Sequence, residues 1–263
     1  MSFRLDPEGN LLVLDQVNRR LQLFRPDGTF LSSVPIASDT AQDLALDPQG
    51  RAAVLDRLGP SGIQLYDTEG RPGARIPVAG GPVREGGATT GLLADGRGIY
   101  LESEHDAVIR VADANGTATD RSEVLPGRPT RDGRLFIKAG IISKAAGRVY
   151  VQAHGTDRQL AWETPLALGR PLIHILLLDS DGAGRIYLGA EVGTEDPVSH
   201  TFPDLATLVA RLSPEGKPDG LLTLPPTTAE ATEIFRPLVV DDRGTVFQLV
   251  TAPEGVRVTS YTF

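Results

Sequence analysis

The sequence predicts an all-β fold, a six-bladed β-propeller of four-stranded antiparallel blades, and three observations carry that expectation. A four-strand pattern recurs with a period of roughly 40 residues, the spacing of propeller and solenoid repeats. An Asp-Pro-x-Gly type of turn returns along the chain, and six apolar strands each follow a turn of this kind. Short strands with regular turns also suit a β-sandwich, but repetition of one four-strand grammar favours blades.

The first unit shows the grammar most clearly. Phe3-Arg4-Leu5-Asp6 reads as a short strand, Pro7-Glu8-Gly9-Asn10 as a turn, and Leu11-Leu12-Val13-Leu14-Asp15 as a second strand. Gln16-Val17-Asn18-Arg19 is a loop, and Arg20-Leu21-Gln22-Leu23-Phe24 alternates with period two as a third strand. Arg25-Pro26-Asp27-Gly28 turns the chain into a fourth strand, 29–36. In such turns proline holds φ near −65° and glycine takes a positive φ, so the chain reverses at low steric cost. Further second strands are expected from Arg51, Arg97, Arg148, Arg185 and Thr245 onward.

These units place the blades of a single domain, 1–263, at roughly 2–36, 42–78, 88–125, 135–174, 174–224 and 233–263. Extra Gly, Pro and Arg between Pro126 and Arg134 read as a longer loop before the fourth blade. An insertion in the fifth, Glu191 to Leu205, is the kind of long loop that often carries function. The last unit ends at Tyr261-Thr262-Phe263, at the close of a third strand, so the sixth blade is expected to lack its outer strand. Ser2 to Asp6 resembles the middle of a repeat. An N-terminal segment completing the sixth blade is therefore expected, as is an extracytoplasmic origin within a longer bacterial protein.

Composition narrows the function classes. A net charge of -8 repels phosphate backbones, and with no basic run it argues against a nucleic-acid partner. The absence of cysteine removes disulfides, thiol catalysis and cysteine-bound zinc. The longest apolar stretch, Leu172 to Leu178, is too short to span a bilayer. The strong preference for Arg over Lys reads as a compositional bias.

The first unit resembles an NHL repeat. The matching residues are Asp6-Pro7-Glu8-Gly9-Asn10, Asp15, Asn18-Arg19 or Arg20, and Leu21-Gln22-Leu23-Phe24. The second unit resembles it through Asp47-Pro48-Gln49-Gly50, Asp56 and Ile63-Gln64-Leu65-Tyr66-Asp67, and later units keep only turns and apolar strands. The resemblance implies a six-bladed propeller over the whole chain. It implies little about activity, since such propellers include protein- and RNA-binding modules, sensors and a few metal-dependent enzymes.

In a propeller the second-to-third and fourth-to-first loops share one face, where ligands are expected. The candidate ligand-binding residues there are Asp15, Asp56, Arg57, Glu102, His105, His154, Arg158 and Glu191. Asp39, Asp43, Glu85, Glu104, Asp106, Asp157, Glu195, Asp196 and His200 are assigned to the same face. His105, His154, Glu102 and Glu191 are the possible metal ligands, carboxylate oxygens suiting calcium and imidazole with carboxylate suiting zinc. Against that, Asp15 and Asp56 are of the type that bonds the N–H groups of its own turn. His174, in an apolar run, is expected to be partly buried and hydrogen-bonded, and Trp162 to pack between blades.

No Gly-x-Ser-x-Gly elbow and no phosphate cradle is present. The expected function is that of a non-enzymatic binding or sensor propeller recognising a protein or small molecule through its acidic face. The competing expectation is a calcium- or zinc-dependent hydrolase or lyase with its site at the channel mouth.

Overall fold

A blade strand must be apolar on both faces where it lies between two neighbouring sheets, and the second strands have that character: Ala52–Asp56 and Ile186–Val192 are buried along their whole length. The computed structural model describes residues 1–56, 62–78, 90–103, 105, 107–120, 123–227, 234–252 and 255–263. The described residues form strands and turns without a helix, so no helix among them is long and apolar enough to cross a membrane.

Two compact units divide the chain after Leu125. The first holds three sheets. They are β1 (Ser2–Leu5) to β2 (Leu11–Asp15), β3 (Arg20–Phe24) and β4 (Phe30–Pro35); β5 (Ala41–Leu46) to β6 (Ala52–Asp56), β7 (Gly62–Tyr66) and β8 (Pro72–Pro77); and β9 (Thr90–Asp95) to β10 (Gly98–Ser103), β11 (Ala107–Asp113) and β12 (Val124–Leu125). The second unit also holds three. They are β13 (Arg128–Pro129) to β14 (Leu135–Ser143), β15 (Arg148–Gly155) and β16 (Leu160–Ala167); β17 (Leu172–Ser180) to β18 (Ile186–Val192), β19 (Ala206–Leu212) and β20 (Pro218–Leu224); and β21 (Leu238–Val240) to β22 (Val246–Ala252) and β23 (Gly255–Tyr261). Every sheet is an antiparallel meander in sequence order. The fold is a six-bladed β-propeller, as the sequence predicts, and among the described residues five sheets have four strands and the sixth has three.

The turns between first and second strands work through their aspartates. The Asp47 carboxylate accepts from the backbone N–H groups of Gln49 and Arg51, both at 2.9 Å, and Gly50 takes φ 78°. Asp181 and Asp241 bind their own turns in the same way. The arginine at the turn exit then returns to the other carboxylate oxygen: Arg185 Nε donates to Asp181 Oδ2 at 2.6 Å, and Arg71 and Asp67 repeat the pair at 2.7 Å in a third-to-fourth turn. A planar guanidinium reaches a carboxylate edge in a way lysine does not. At these positions arginine is a structural device, which the compositional reading overlooked.

The blades meet through apolar faces. In the first unit Leu14, Leu44 and Val54 belong to one buried cluster, and Leu55, Ile63, Leu92 and Leu101 to the next. Adjacent residues Val54 and Leu55 join different clusters because side chains alternate across a strand. In the second unit Ile137, Val149, Leu178 and Leu188 fill the fourth-to-fifth interface, while Leu177, Tyr187, Val209, Leu238 and Val246 fill the fifth-to-sixth.

The fourth blade departs from the sequence reading. Residues 126–134 are not a connecting loop: Arg128–Pro129 is the first strand, and Leu135–Ser143 the second. Residues 149–151 therefore belong to the third strand, and the blade runs from 128 to 167 rather than from 135 to 174. Its turn was hidden because Thr130 stands where the other turns carry aspartate. Gly133 N–H still donates to the Thr130 carbonyl at 2.9 Å, and Leu135 N–H to Thr130 Oγ1 at 3.1 Å.

Candidate functional site

An acidic residue lies at or near the close of the second strand in four blades: Asp15 in β2, Asp56 in β6, Glu102 in β10 and Glu191 in β18. The same position in the repeat thus supplies four of the sequence-predicted site residues, but their surroundings differ. Asp15 accepts from the Asn18 backbone at 3.2 Å, from Asn18 Nδ2 at 2.8 Å and from Arg20 Nε at 2.9 Å. Partial burial would raise this carboxyl, but the donors of Asn18 and Arg20 outweigh it and hold the group below the usual carboxylate range. Asp56 is buried and accepts from the hydroxyls of Ser38 and Thr40, both at 2.7 Å. Asp15 holds its own loop, and Asp56 holds the loop that leads from β4 into β5.

Asp43 is also structural. It lies in β5, fully buried, where it accepts from Leu92 N–H at 2.9 Å and faces Arg4 at 3.5 Å. Glu102 is buried, with Oε2 3.7 Å from His105 Nδ1, and His105 adopts φ 60° in the following loop. Arg57, Glu85, Glu104 and Asp106 lie outside the described residues.

Glu191 sits in a different setting, at the fifth-to-sixth blade interface of the second unit. It is 5% exposed, and Oε1 accepts from Thr227 Oγ1 at 3.0 Å. Oε2 lies 3.7 Å from His174 Nε2, beyond hydrogen-bond reach, and the His174 side chain is 52% exposed. His174 and Thr207 flank Glu191 on the paired strands, on either side of it in register. Thr207 is fully buried, as is Gln248, which donates Nε2 to the Pro225 carbonyl at 2.8 Å. Thr207 Oγ1 and Gln248 Oε1 are buried without a hydrogen-bond partner. Burial holds the His174 imidazole below its ordinary value against the pull of Glu191, with the Lys144 charge acting in the same direction as burial. The ring is therefore neutral at pH near 7.

Two expected residues fall elsewhere. His154 and Arg158 flank the turn that joins β15 to β16, a third-to-fourth connection at the opposite end of the blade from the loops around Glu191. The fourth blade's own second-to-third loop is 144–147. His154 therefore does not share a site with Glu191, and the four-residue metal set drawn from the sequence is divided. His154 Nδ1 is buried without a partner, and desolvation holds its imidazole below the ordinary value. Among the described residues no group of three or more His, Asp or Glu side chains is placed to hold a metal.

The insertion forms an exposed loop, in which His200 Nδ1 and Glu195 Oε1 lie 2.8 Å apart. Trp162 packs against the Gly216 turn of the next blade and donates Nε1 to the Pro214 carbonyl at 3.0 Å, the packing role expected for it. Thr207, Thr227 and Gln248 were not legible as site residues. A threonine or glutamine in or beside an apolar strand carries no signal until pairing shows what it faces.

This end of the blades and the sheets that carry it define the class, a six-bladed β-propeller. Among solved structures the chain is similar to a protein of unknown function from Bacteroides caccae, at 15% identity and TM-score 0.49, covering 84% of this chain and 80% of that one. It is similar also to virginiamycin B lyase from Staphylococcus aureus, at 10% identity and TM-score 0.48, covering 94% and 89%. No family model matches the sequence, and no curated protein does.

Proposed function

We propose that this chain is a ligand-binding or sensor propeller of the NHL-repeat type, recognising a small molecule or a protein at the acidic end of a second strand, that of β18, where Glu191 lies. The observation that carries the reading is the contrast among those acids. Asp15 and Asp56 are each engaged by several donors, from the loop after β2 and the loop before β5, whereas Glu191 has one hydroxyl donor, a neutral histidine at the opening and unpartnered buried polar atoms beside it. A buried carboxylate in such company is costly unless something satisfies it. The NHL assignment is supported by the first blade, where Asp15 binds Asn18 and Arg20, the residue types that repeat places after its second strand.

A thermal-shift screen of chemically diverse small molecules and peptides tests the proposal. Ligands that stabilise the wild-type chain are expected to lose their effect in Glu191→Gln and His174→Ala and to keep it in His154→Ala. Stabilisation indifferent to Glu191 and His174 overturns the reading.

A further inference from the structure

The ligand of the Glu191 site follows from its donor and acceptor inventory, and this step rests on the binding function proposed above. A carboxylate only accepts. Gln248 donates one amide N–H to the Pro225 carbonyl, which orients the amide and leaves Oε1, an acceptor, without a partner. Thr227 spends its hydroxyl proton on Glu191 Oε1. Thr207, the cross-strand neighbour of Glu191, leaves Oγ1 unpartnered. The neutral His174 turns Nε2 toward Glu191 Oε2 across 3.7 Å.

Glu191, Thr207, Thr227 and Gln248 share the fifth-to-sixth interface. Glu191 and Thr207 point to the same side as Tyr187 and Val209, which pack against the sixth blade, and Pro225 lies two residues before Thr227. An anion meets a buried negative charge there and finds no cation in the set. A neutral acceptor leaves the buried charge of Glu191 without compensation. The complement of this inventory is a compact cation with several N–H donors. A hard divalent ion takes six to eight oxygens and usually several carboxylates, more than these groups supply.

We infer that the Glu191 site binds a primary ammonium group, taking its N–H donors on Glu191 Oε2, Thr207 Oγ1 and Gln248 Oε1, with His174 at the entrance. The head group has two sources, a free alkylamine or a lysine side chain of a peptide. Charge-assisted hydrogen bonds of this kind carry much of the affinity for such a ligand.

Isothermal titration of the full chain at about pH 8, where His174 is neutral, decides the matter. The probes are n-butylammonium, Nα-acetyl-lysine methylamide, tetramethylammonium, calcium and zinc. Saturable binding of one or both primary ammonium probes is expected, and whichever binds more tightly identifies the source. Tetramethylammonium, with the same charge and no N–H, should bind at least roughly tenfold more weakly, and Glu191→Gln should weaken the primary ammonium by at least roughly tenfold. Thr207→Val should weaken it several-fold while leaving the melting temperature unchanged or raised, because it removes a buried unpartnered hydroxyl. Equal binding of tetramethylammonium, binding of the metals alone, or no saturable ammonium binding overturns the inference. If the thermal-shift screen instead yields a neutral or anionic ligand lost in Glu191→Gln, the ammonium assignment falls and the binding function stands.

Discussion

Asp179 shows how much one side chain in this fold depends on its neighbours. It lies in β17 beside Arg131, whose Nη2 is 3.3 Å from it and whose Nη1 donates to Asp242 at 2.7 Å. Burial would raise its carboxyl, but the charges of Arg131 and Arg128 outweigh burial and hold it below the usual range. A folded-state value below the unfolded one adds stability above the unfolded pKa and loses it as pH falls through the folded pKa. Asp179→Asn should therefore cost about 1.5–3 kcal/mol near neutral pH, since Arg131 keeps Asp242 but loses its other carboxylate partner. In urea unfolding the gap to wild type should narrow below about pH 4; a gap constant down to pH of about 2 rejects this account. At the scale of single residues the sequence was partly legible. Asp15 binds the N–H of its own turn, a role its residue type announces, whereas Asp56 takes the hydroxyls of Ser38 and Thr40 from the loop that enters its blade, which its residue type does not announce. The environment of Glu191 comes from residues 16 and 36 positions along the chain, at Thr207 and Thr227, and that proximity exists only once β18 and β19 have paired and β20 has returned the chain.

Among elements, the turn between first and second strands is the one the sequence announces best, and its glycine is where a substitution reads out most clearly. Gly50 holds φ 78° with only a Thr68 methyl within 4 Å of an added Cβ, at 3.8 Å, so Gly50→Ala meets conformational strain alone, about 1–2 kcal/mol. Gly244 holds φ 87°, and a Cβ there would stand 2.3 Å from the Tyr187 hydroxyl, which donates to Asp181 at 2.8 Å. Gly244→Ala should thus cost clearly more than Gly50→Ala in chemical denaturation, because it also breaks a buried hydrogen bond. Equal costs would mean that the contact with the fifth blade carries no weight. The same element explains the failure in the fourth blade. Thr130 closes the turn with its hydroxyl and carbonyl, and the strand ahead of it is only Arg128–Pro129, so neither the aspartate nor an apolar run marked the site. That shift of one strand moved His154 and Arg158 to the wrong end of the blade in the sequence reading.

For the molecule as a whole, the blade count was legible because each blade repeats one grammar, and a single misassigned strand does not change how many times it recurs. Among the described residues the sixth sheet has three strands, and these follow the same pattern of turn and apolar strand. That blade carries a physical consequence. Among the described residues β23 pairs with β22 on one side only, and its residues include the exposed Val256, 46% accessible. An unpaired strand edge is a template for another strand. Its principal opposition at this scale is the net charge of -8, which makes two copies repel at low salt. Screening shortens that repulsion to about 8 Å at physiological ionic strength and leaves edge hydrogen bonding intact. Self-association by light scattering should therefore increase with protein concentration and with added salt. Val256→Lys should suppress it, because a charge on the edge opposes pairing. Association that weakens with salt would place the contact on charge pairs and rule out the open edge as its origin.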